Sequence, residues 1–510
     1  MGKISGVILV LITLLFFAYP TYAEDAVHSS QTIEKSASHD THGEISGEEH
    51  NEHHAPHLDG RDLSLLWIIP FAGILLSIAV FPLVAPHFWH HHFGKVSLFW
   101  GLVFFIAFMI GHGANMSFFY LFEVYLGEFI PFIVLLLALF TVAGGIRLKG
   151  SLVGSPKLNT LMILIGTILA SWMGTTGAAM LMIRPLIKAN AWRKHKTHII
   201  VFFIFLVANI GGSLTPLGDP PLFLGFLKGV SFFWTTTHMF LPMVFASVIL
   251  LILFFIIDTM MMKKEDGIPP KADNNEKLAI EGKANFILLL GVIGAVVFSG
   301  MWHSHIDNPA DVAITMWGAG MMTKGTLVQV IALLIITFVS LKITPESARK
   351  GNGFTWDPIL EVAKLFATIF ITMVPPIAML KAGVEGPLGA VISSVKNETG
   401  EFVNGAFFWA TGILSSFLDN APTYVVFFNT ALGENLSPAD LMTKFSTTLL
   451  AISAGAVFMG ANTYIGNAPN FMVKSIAEEN NIKMPSFFGY MAWSVGILIP
   501  LFLVITFVFF

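Results

Sequence analysis

The most constraining feature of this 510-residue chain is a run of turn residues inside an apolar stretch long enough to cross a membrane. The run, Asn209–Pro221, contains three prolines and three glycines, and apolar residues flank it at 199–208 and 222–233. A helix needs about 20 residues to cross a bilayer. Unwound backbone at membrane depth is tolerated only where it is buried in protein or lines a polar cavity. The sequence therefore predicts a membrane helix that is broken at a binding site.

A second copy of this pattern lies near the C-terminus. Residues 463–469 (Thr-Tyr-Ile-Gly-Asn-Ala-Pro) align without a gap with residues 215–221 (Thr-Pro-Leu-Gly-Asp-Pro-Pro), and interrupted apolar segments at 171–177 and 416–423 precede the two copies. Paired broken segments at matching positions of two halves are typical of a transporter with its site at the membrane midplane. The alternative is ordinary kinks in unrelated helices, because glycine and proline are common in membrane helices.

The composition also indicates a membrane protein. Hydrophobic side chains make up 55% of the chain and charged side chains 12%, which is far more apolar than a soluble protein of this length. The formal net charge of −4 gives no reason to expect a nucleic-acid partner. The chain has no cysteine, which excludes disulfides, zinc–thiolate sites and thiol catalysis.

The first 60 residues resemble an exported leader. Residues 1–23 carry Lys3, an apolar core and a terminal alanine, the pattern of a secretory signal peptide; the alternative is an uncleaved anchor with the same exit side. The polar, histidine-rich residues 24–60 cannot bury enough apolar surface to fold, so we predict a disordered extracytoplasmic tail. This tail is either a metal or proton sensor or a solvated leader. We expect a multi-pass protein of the bacterial cytoplasmic (inner) membrane, its mature N-terminus outside the cytoplasm.

The apolar segments divide the chain into two halves of the same plan. We predict a first transmembrane repeat at 61–260, a cytoplasmic linker at 261–283 and a second transmembrane repeat at 284–510. Each repeat has five crossings, one of them broken, and a hairpin of two half-length helices that enters and leaves by the same face. The predicted crossings lie near 63–85, 96–113, 129–147, 199–233, 239–258, 285–302, 326–343, 358–380, 445–476 and 487–509, and the hairpins at 158–190 and 406–432.

An odd number of crossings inverts the second repeat relative to the first. The predicted fold class is therefore an all-α polytopic membrane protein with two inverted repeats, each with a re-entrant hairpin and a broken helix. With the first crossing starting outside, most lysine and arginine residues of the loops fall on the cytoplasmic side, as the positive-inside rule requires. The two hairpins then open from opposite faces, and their tips approach each other.

A histidine cluster is predicted in a short interfacial loop: His87, His90, His91 and His92.

Two carboxylates lie in the interrupted segments, Asp219 in the first broken helix and Asp419 at the tip of the second hairpin. Ionisable residues in a membrane interior usually face an aqueous cavity or an ion path. The same segments contain many uncharged oxygen donors, and ligation by oxygen alone suits a hard cation such as Na⁺. These donors are Thr175, Thr176, Asn209, Thr215, Asn420, Thr423, Asn462, Thr463 and Asn467.

One carboxylate can hold either a proton or a metal cation, and competition between the two at alternating faces is antiport. We expect Asp419 to be the principal Na⁺ ligand and Asp219 the second. The alternative is that one of them is structural. Asp219, which precedes two prolines, could cap the next half-helix through its backbone N–H groups.

At these residues the chain resembles the ion transporter superfamily, which groups NhaD-type sodium/proton antiporters, ArsB-type arsenite exporters and citrate or dicarboxylate carriers. The run at 211–219 looks like the NhaD signature, and the run at 418–422 looks like its second-half counterpart. The resemblance implies hairpins on a moving transport domain, supported by a domain that often forms a homodimer. Where antiporters continue with threonines, residues 220–222 are Pro-Pro-Leu, which brings the chain towards relatives labelled as citrate transporters. The resemblance points to these site residues: Asp219, Asp419, Asn420 and Thr215.

The sequence thus predicts a secondary transporter that exchanges Na⁺ for H⁺, with both ions as substrates and no cofactor. The main alternative is a Na⁺- or H⁺-coupled citrate or dicarboxylate carrier. From a different class, an intramembrane enzyme or a metal-sensing receptor remains, but the spans contain no His/Glu zinc motif, which argues against the enzyme. The chain also has no phosphate-binding loop of the G-x-x-x-x-G-K-[ST] type, which argues against direct drive by ATP.

Overall fold

A computed structural model describes residues 56–266, 269, 278–302, 306, 308–317 and 319–510 of the chain. The predicted signal peptide, and the predicted tail up to residue 55, lie outside the described residues and stay predictions. The helices of the first half are α1 Ile69–Val84, α2 Pro86–Val124, α3 Ile130–Ala143, α4 Pro156–Met173, α5 Thr175–Ala189, α6 Thr197–Leu206, α7 Pro220–Leu227 and α8 Phe232–Met262. Those of the second half are α9 Ala284–Met301, α10 Lys324–Ile343, α11 Glu346–Gly351, α12 Asp357–Thr372, α13 Val374–Lys381, α14 Gly389–Ser393, α15 Asn404–Phe417, α16 Asn420–Leu432, α17 Pro438–Met442, α18 Ser446–Met459, α19 Ala468–Glu479 and α20 Phe487–Phe509.

The long helices pack into two bundles. Bundle I contains α1 to α3, α9, α10, α12 and α13. Bundle II contains the two hairpins (α4–α5 and α15–α16), the two broken helices (α6–α7 and α18–α19), and α8 and α20. The bundles meet where α3 contacts α5 and where α13 contacts α16. All the interrupted segments identified in the sequence are therefore collected in bundle II.

Hydrophobicity and burial together indicate how the bundles sit in lipid. Among the described residues, eight helices are long and apolar enough to cross a membrane, or up to nine if the pair α12–α13, bent by 42°, forms one span. The segment Thr197–Leu214 is apolar on all sides and 89% buried, whereas only 22–33% of α8, α9 and α20 is buried. A helix that is apolar all round must be surrounded by protein or by lipid. The first broken helix is thus enclosed by protein, while apolar faces of the other three are open to lipid.

Local sequence signals explain where several helices begin. The hydroxyls of Ser155, Thr323 and Ser486 accept hydrogen bonds from backbone N–H groups in the first turns of α4, α10 and α20, at 3.2 to 3.3 Å. Such caps satisfy donors that have no partner inside the helix.

The second and third crossings are joined by more helix than the sequence indicates. The apolar segment Pro86–Ala143 has 58 residues, about 87 Å of helix, which is far more than the roughly 30 Å of a bilayer core. It turns at Gly113, where φ is 83°, a conformation that only glycine adopts readily.

The expectation of a loop around His87 and His92 is wrong, because helix α2 already begins at Pro86. Proline favours the first helical position, where its missing N–H costs no hydrogen bond.

Two short antiparallel ribbons add to the otherwise helical fold. Strand β1 (Arg147–Lys149) pairs with β2 (Ala279–Glu281), and β3 (Val312–Met316) pairs with β4 (Ala319–Thr323). The end of the predicted linker is therefore tied to bundle I through β2, and an ion pair of 3.2 Å between Arg147 and Glu281 reinforces the tie.

Candidate ion-binding site

The first helix break is held open by hydroxyl groups from neighbouring helices. Between α6 and α7 the chain forms a single 3₁₀ turn, Ile210–Leu214, followed by Thr215 in extended conformation and a turn at 216–218. Ser171 in α4 donates to the carbonyl of Gly211 at 2.5 Å and accepts from the N–H of Leu214 at 3.1 Å. The hydroxyl of Thr215 donates to the carbonyl of Ser171. Backbone groups that the break would leave unpaired are thus satisfied inside the protein.

The second break repeats these contacts. The hydroxyl of Thr463 donates to the carbonyl of Ser416 at 2.5 Å, as Thr215 does to Ser171. Ser416 accepts from the side-chain amide of Asn462 at 2.9 Å and lies 3.1 Å from the carbonyl of Met459. The two breaks therefore fold in the same way, each fixed by a serine of the preceding hairpin.

Each break also depends on a close approach between two glycines. A Cβ atom on Gly218 would lie 2.0 Å from the carbonyl oxygen of Gly212, and one on Gly466 would lie 2.5 Å from that of Gly460. Real Cβ atoms essentially never approach another atom so closely. Each loop can close on itself only because Gly218 and Gly466 lack a side chain.

The hairpins and the breaks meet at the carboxylate of Asp219, which is 1% exposed. Its Oδ1 atom accepts from the hydroxyl of Thr175 at 3.2 Å and from the amide of Asn467 at 3.0 Å, and its Oδ2 atom accepts from the amide of Asn420 at 2.5 Å. Thr175 begins the second helix of the first hairpin, and Asn420 begins that of the second hairpin. The four side chains therefore come from the two hairpins and the two breaks, one from each. We call these four residues the Asp219 cluster.

A chain of asparagines extends from this cluster. The amide of Asn467 lies 3.3 Å from Oδ1 of Asn209, and the amide of Asn209 donates to Oδ1 of Asn470 at 2.7 Å. Asn470 in turn donates to the carbonyls of Gly460 and Thr463 at 2.8 and 2.9 Å. Asn470 was not among the site residues predicted from the sequence. Its position directly after the Thr-x-x-Gly-Asn-x-Pro run, on the first turn of α19, was the available signal.

Asp419 differs from Asp219 in its hydrogen bonding: it caps the helix that follows it. Its side chain accepts from the N–H of Ala421 at 3.2 Å and so caps α16, and it is only half-buried. Asp219 occupies the corresponding cap position of α7 but forms no such bond. The capping role considered for Asp219 therefore belongs to Asp419, and Asp219 is left free to bind the other three members of its cluster.

The remaining predicted site residues lie near the cluster without entering it. Thr423 donates to the carbonyl of Asp419 at 3.0 Å, which satisfies its hydroxyl within α16. Thr176 is half-buried on the first turn of α5. Asn462 uses its amide on Ser416, and its buried Oδ1 atom has no hydrogen-bond partner in the described part of the chain. The buried Oδ1 atom of Asn420 likewise lacks a partner among the described residues.

The chemistry of the cluster favours a small cation. The three donors to Asp219 are all uncharged, so no side chain bound to it neutralises its charge. Burying an ionised carboxylate without a positive partner is costly, and such a group is stable when a proton or a cation neutralises it. The unpaired Oδ1 atom of Asn420 is an oxygen acceptor of the kind that hard cations select. These residues therefore fit a site for Na⁺ or H⁺.

Comparison with known proteins adds a family to this geometry. Residues 60–510 match the model of a protein family described as "Putative citrate transport". Among curated proteins, no sequence matches the chain. The family match covers every helix of both bundles, including the four segments that build the Asp219 cluster. The chain therefore belongs to this citrate-transport family of multi-pass membrane proteins.

Proposed function

We propose that the protein is a secondary active transporter that exchanges Na⁺ for H⁺ by alternating access, with Asp219 as the group that binds the two ions in turn. The observation that supports this proposal is the buried carboxylate held only by uncharged donors from both hairpins and both breaks. A proton and Na⁺ compete for such a group, because each removes the cost of its buried charge. Exchange follows if the competition takes place alternately at the two membrane faces.

The matched contacts of the two halves support an inverted repeat in this proposal. Thr215 and Thr463 bind the serines of their respective hairpins, and the glycine pairs close both loops in the same way. Inverted repeats whose broken helices meet at the midplane are a recurrent build of transporters, in which one bundle rocks or slides against another. We assign the moving part to bundle II and the supporting part to bundle I.

The remaining expectations belong to the same proposal. The protein works in the bacterial cytoplasmic membrane, with the residues before α1 outside the cytoplasm. Bundle I, which does not contribute to the Asp219 cluster, is the part through which a homodimer forms.

A cation-coupled citrate carrier is the second candidate, and the family match favours it. In this version the coupling ion binds at Asp219 and citrate binds beside it. A tricarboxylate would then approach Asp219 and the half-buried Asp419 with no basic side chain hydrogen-bonded to either. A bound cation would have to lie between citrate and these aspartates to offset the repulsion.

Proteoliposomes with a pH-sensitive dye inside distinguish these candidates. The vesicles are given an acidic interior, and Na⁺, K⁺ or citrate is then added outside. The proposal predicts alkalinisation of the interior on addition of Na⁺ alone. If Na⁺ alone has no effect and labelled citrate enters only with Na⁺ or a proton gradient, the protein is a citrate carrier and exchange is excluded.

A further inference from the structure

A groove of about 670 Å³ runs along bundle I between α2 and α12. Its α2 wall contains Leu98 and Leu102, which are 59% and 48% exposed. From Lys95 to Phe105 the groove follows ten residues of helix, about 15 Å. This length is about half of the 30 Å core of a bilayer and therefore corresponds to one leaflet.

Below its mouth the groove offers an apolar surface. Three hydroxyl groups lie in its walls, and all are already engaged. Ser97 donates towards the carbonyl of Lys364 at 2.7 Å, Thr368 donates to the carbonyl of Ser97 at 2.9 Å, and Tyr125 donates to the carbonyl of Ala367 at 2.9 Å. The other residues of this part are Leu98, Gly101, Leu102, Phe105, Leu121, Ala367 and Ile371. A hydrocarbon chain can therefore lie there without leaving a polar group unpaired.

The mouth of the groove is basic. Lys95, Lys364 and His91 line it, and all three side chains are exposed. The ammonium group of Lys364 lies 5.2 Å from the centre of the Phe93 ring, which holds it at the mouth. None of the residues that line the groove is acidic. Glu361, the carboxylate of α12 that precedes Lys364 by three residues, interacts with Trp89, His90 and, electrostatically, Lys364, but it lies outside the lining.

We propose that this groove binds one anionic phospholipid, with its phosphate between Lys95 and Lys364 and an acyl chain along the apolar wall. The apolar wall alone would accept any lipid. Basic pockets between membrane helices select anionic headgroups, and each lysine near the surface contributes about fivefold in affinity. The preference for anionic lipid therefore resides in the mouth, and the capacity to bind a lipid resides in the wall.

Retention of lipid by the purified full-length protein tests this assignment. The protein is exchanged from a neutral detergent into mixtures of phosphatidylglycerol and phosphatidylcholine with identical acyl chains, and retained lipid is counted by native mass spectrometry. Three variants are compared with the wild type: Lys95→Gln with Lys364→Gln, Ala367→Leu, and Lys342→Gln. Lys342 is the matched control, because its ammonium also lies over an aromatic ring, that of Phe338 at 5.5 Å, but it does not line the groove.

The wild type and Lys342→Gln are expected to retain phosphatidylglycerol preferentially. The double lysine variant should lose this preference, by about fivefold for each lysine removed, and still retain lipid. Ala367→Leu should release both lipids equally while its charges remain. Equal retention of the two lipids by the wild type would overturn the proposal. So would a shift of Ala367→Leu from dimer to monomer with unchanged lipid, because a second copy of the chain would then fill the groove.

Discussion

Asp219 and Asn467 occupy the same position in the two breaks, each directly after the glycine that closes its loop, and the amide of Asn467 donates to the carboxylate of Asp219 at 3.0 Å. The two halves of the chain thus contribute an acceptor and a donor from equivalent positions. One half carries the charge, and the other supplies the uncharged group that holds it. The two breaks fold in the same way but carry different side chains at this position, so the Asp219 cluster contains a single ionisable group.

The close glycine contacts predict a sharp effect of adding one methyl group. Gly218→Ala should destabilise the protein by about 1–3 kcal/mol, because the loop has no room for the new Cβ, and should abolish exchange. The midpoint of thermal unfolding in detergent and exchange in proteoliposomes measure the two effects. Gly496→Ala is the control, since a Cβ there meets nothing within 4 Å. Equal behaviour of the two variants would show that the loop is not closed as described.

A second prediction concerns a buried ionic cluster at one end of bundle II. Asp258 in α8 binds Arg193 at 2.6 Å and His198 at 2.7 Å, and it accepts from Asn159 at 2.8 Å. Asp258→Asn should cost about 3–5 kcal/mol, because the buried Arg193 would lose its closest carboxylate and keep only Glu265, at 3.7 Å. Unfolding in denaturant measures this cost.

An exposed ion pair provides the control for that experiment. Lys350 and Glu346 form a pair of 2.8 Å with both side chains more than 70% exposed. Glu346→Gln should leave stability close to that of the wild type, because water screens exposed ion pairs. If Asp258→Asn were equally mild, the buried cluster would not stabilise the fold.

The same region gives a prediction for pH. Burial raises the pKa of Glu265, but hydrogen bonds from the backbone N–H groups of Lys194 and His195, with the charge of Arg193, outweigh burial and lower the pKa below its ordinary value. A lowered pKa stabilises the protein above the pKa of the unfolded state, about 4.3, and this stabilisation is lost as the pH falls through the folded-state pKa.

Glu265→Gln should therefore lower the unfolding midpoint at pH 7, and the difference from wild type should shrink below about pH 4.3. The exposed Glu398 provides the control, and Glu398→Gln should leave the unfolding midpoint unchanged at pH 7 and at pH 3. A difference for Glu265→Gln that persisted undiminished at pH 3 would contradict the ionic origin of the effect.

Two ion pairs between described residues join bundle I to bundle II, and they make relative motion testable. Glu128 in the turn before α3 binds Lys228 at the end of α7 at 2.7 Å. Arg61, in the segment that precedes α1, binds Glu434 in the loop after α16. If bundle II moves during transport, the second pair must separate. Because the chain has no cysteine, Arg61→Cys with Glu434→Cys introduces the only two thiols.

Bridging these thiols with a cleavable bifunctional reagent should stop exchange, and cleavage of the bridge should restore it. Arg147→Cys with Glu281→Cys is the matched control, because this ion pair lies between the two strands of one ribbon, and its bridging should leave exchange intact. Normal exchange by the protein bridged between positions 61 and 434 would exclude the motion.

The breaks were predictable from sequence because proline and glycine act locally. The run Asn209–Pro221 cannot continue a helix, and its alignment with 463–469 identified both breaks. Asn420 and Asn467 were selected for a different reason: polar side chains at membrane depth need partners.

Which of the two aspartates caps its helix could not be predicted from sequence, because the cap depends on backbone angles at the start of each half-helix. At Asp419, φ and ψ are −56° and 137°, and the side chain turns back to its own helix. At Asp219 they are −143° and 141°, and the side chain forms no cap. The assignment of each long helix to one of the two bundles could not be predicted either, since apolar faces look alike whether they meet lipid or protein.

The most direct test compares Asp219→Asn with Asp419→Asn in proteoliposomes under an acid-inside gradient, with folding of each variant checked by its unfolding midpoint. Removal of the ionisable group at Asp219 should reduce the response to Na⁺ to that of protein-free vesicles. Loss of the cap at Asp419 should leave most of the response. Exchange by Asp219→Asn at the wild-type rate, with none by Asp419→Asn, would contradict the account and make Asp419 the carrier of the ion.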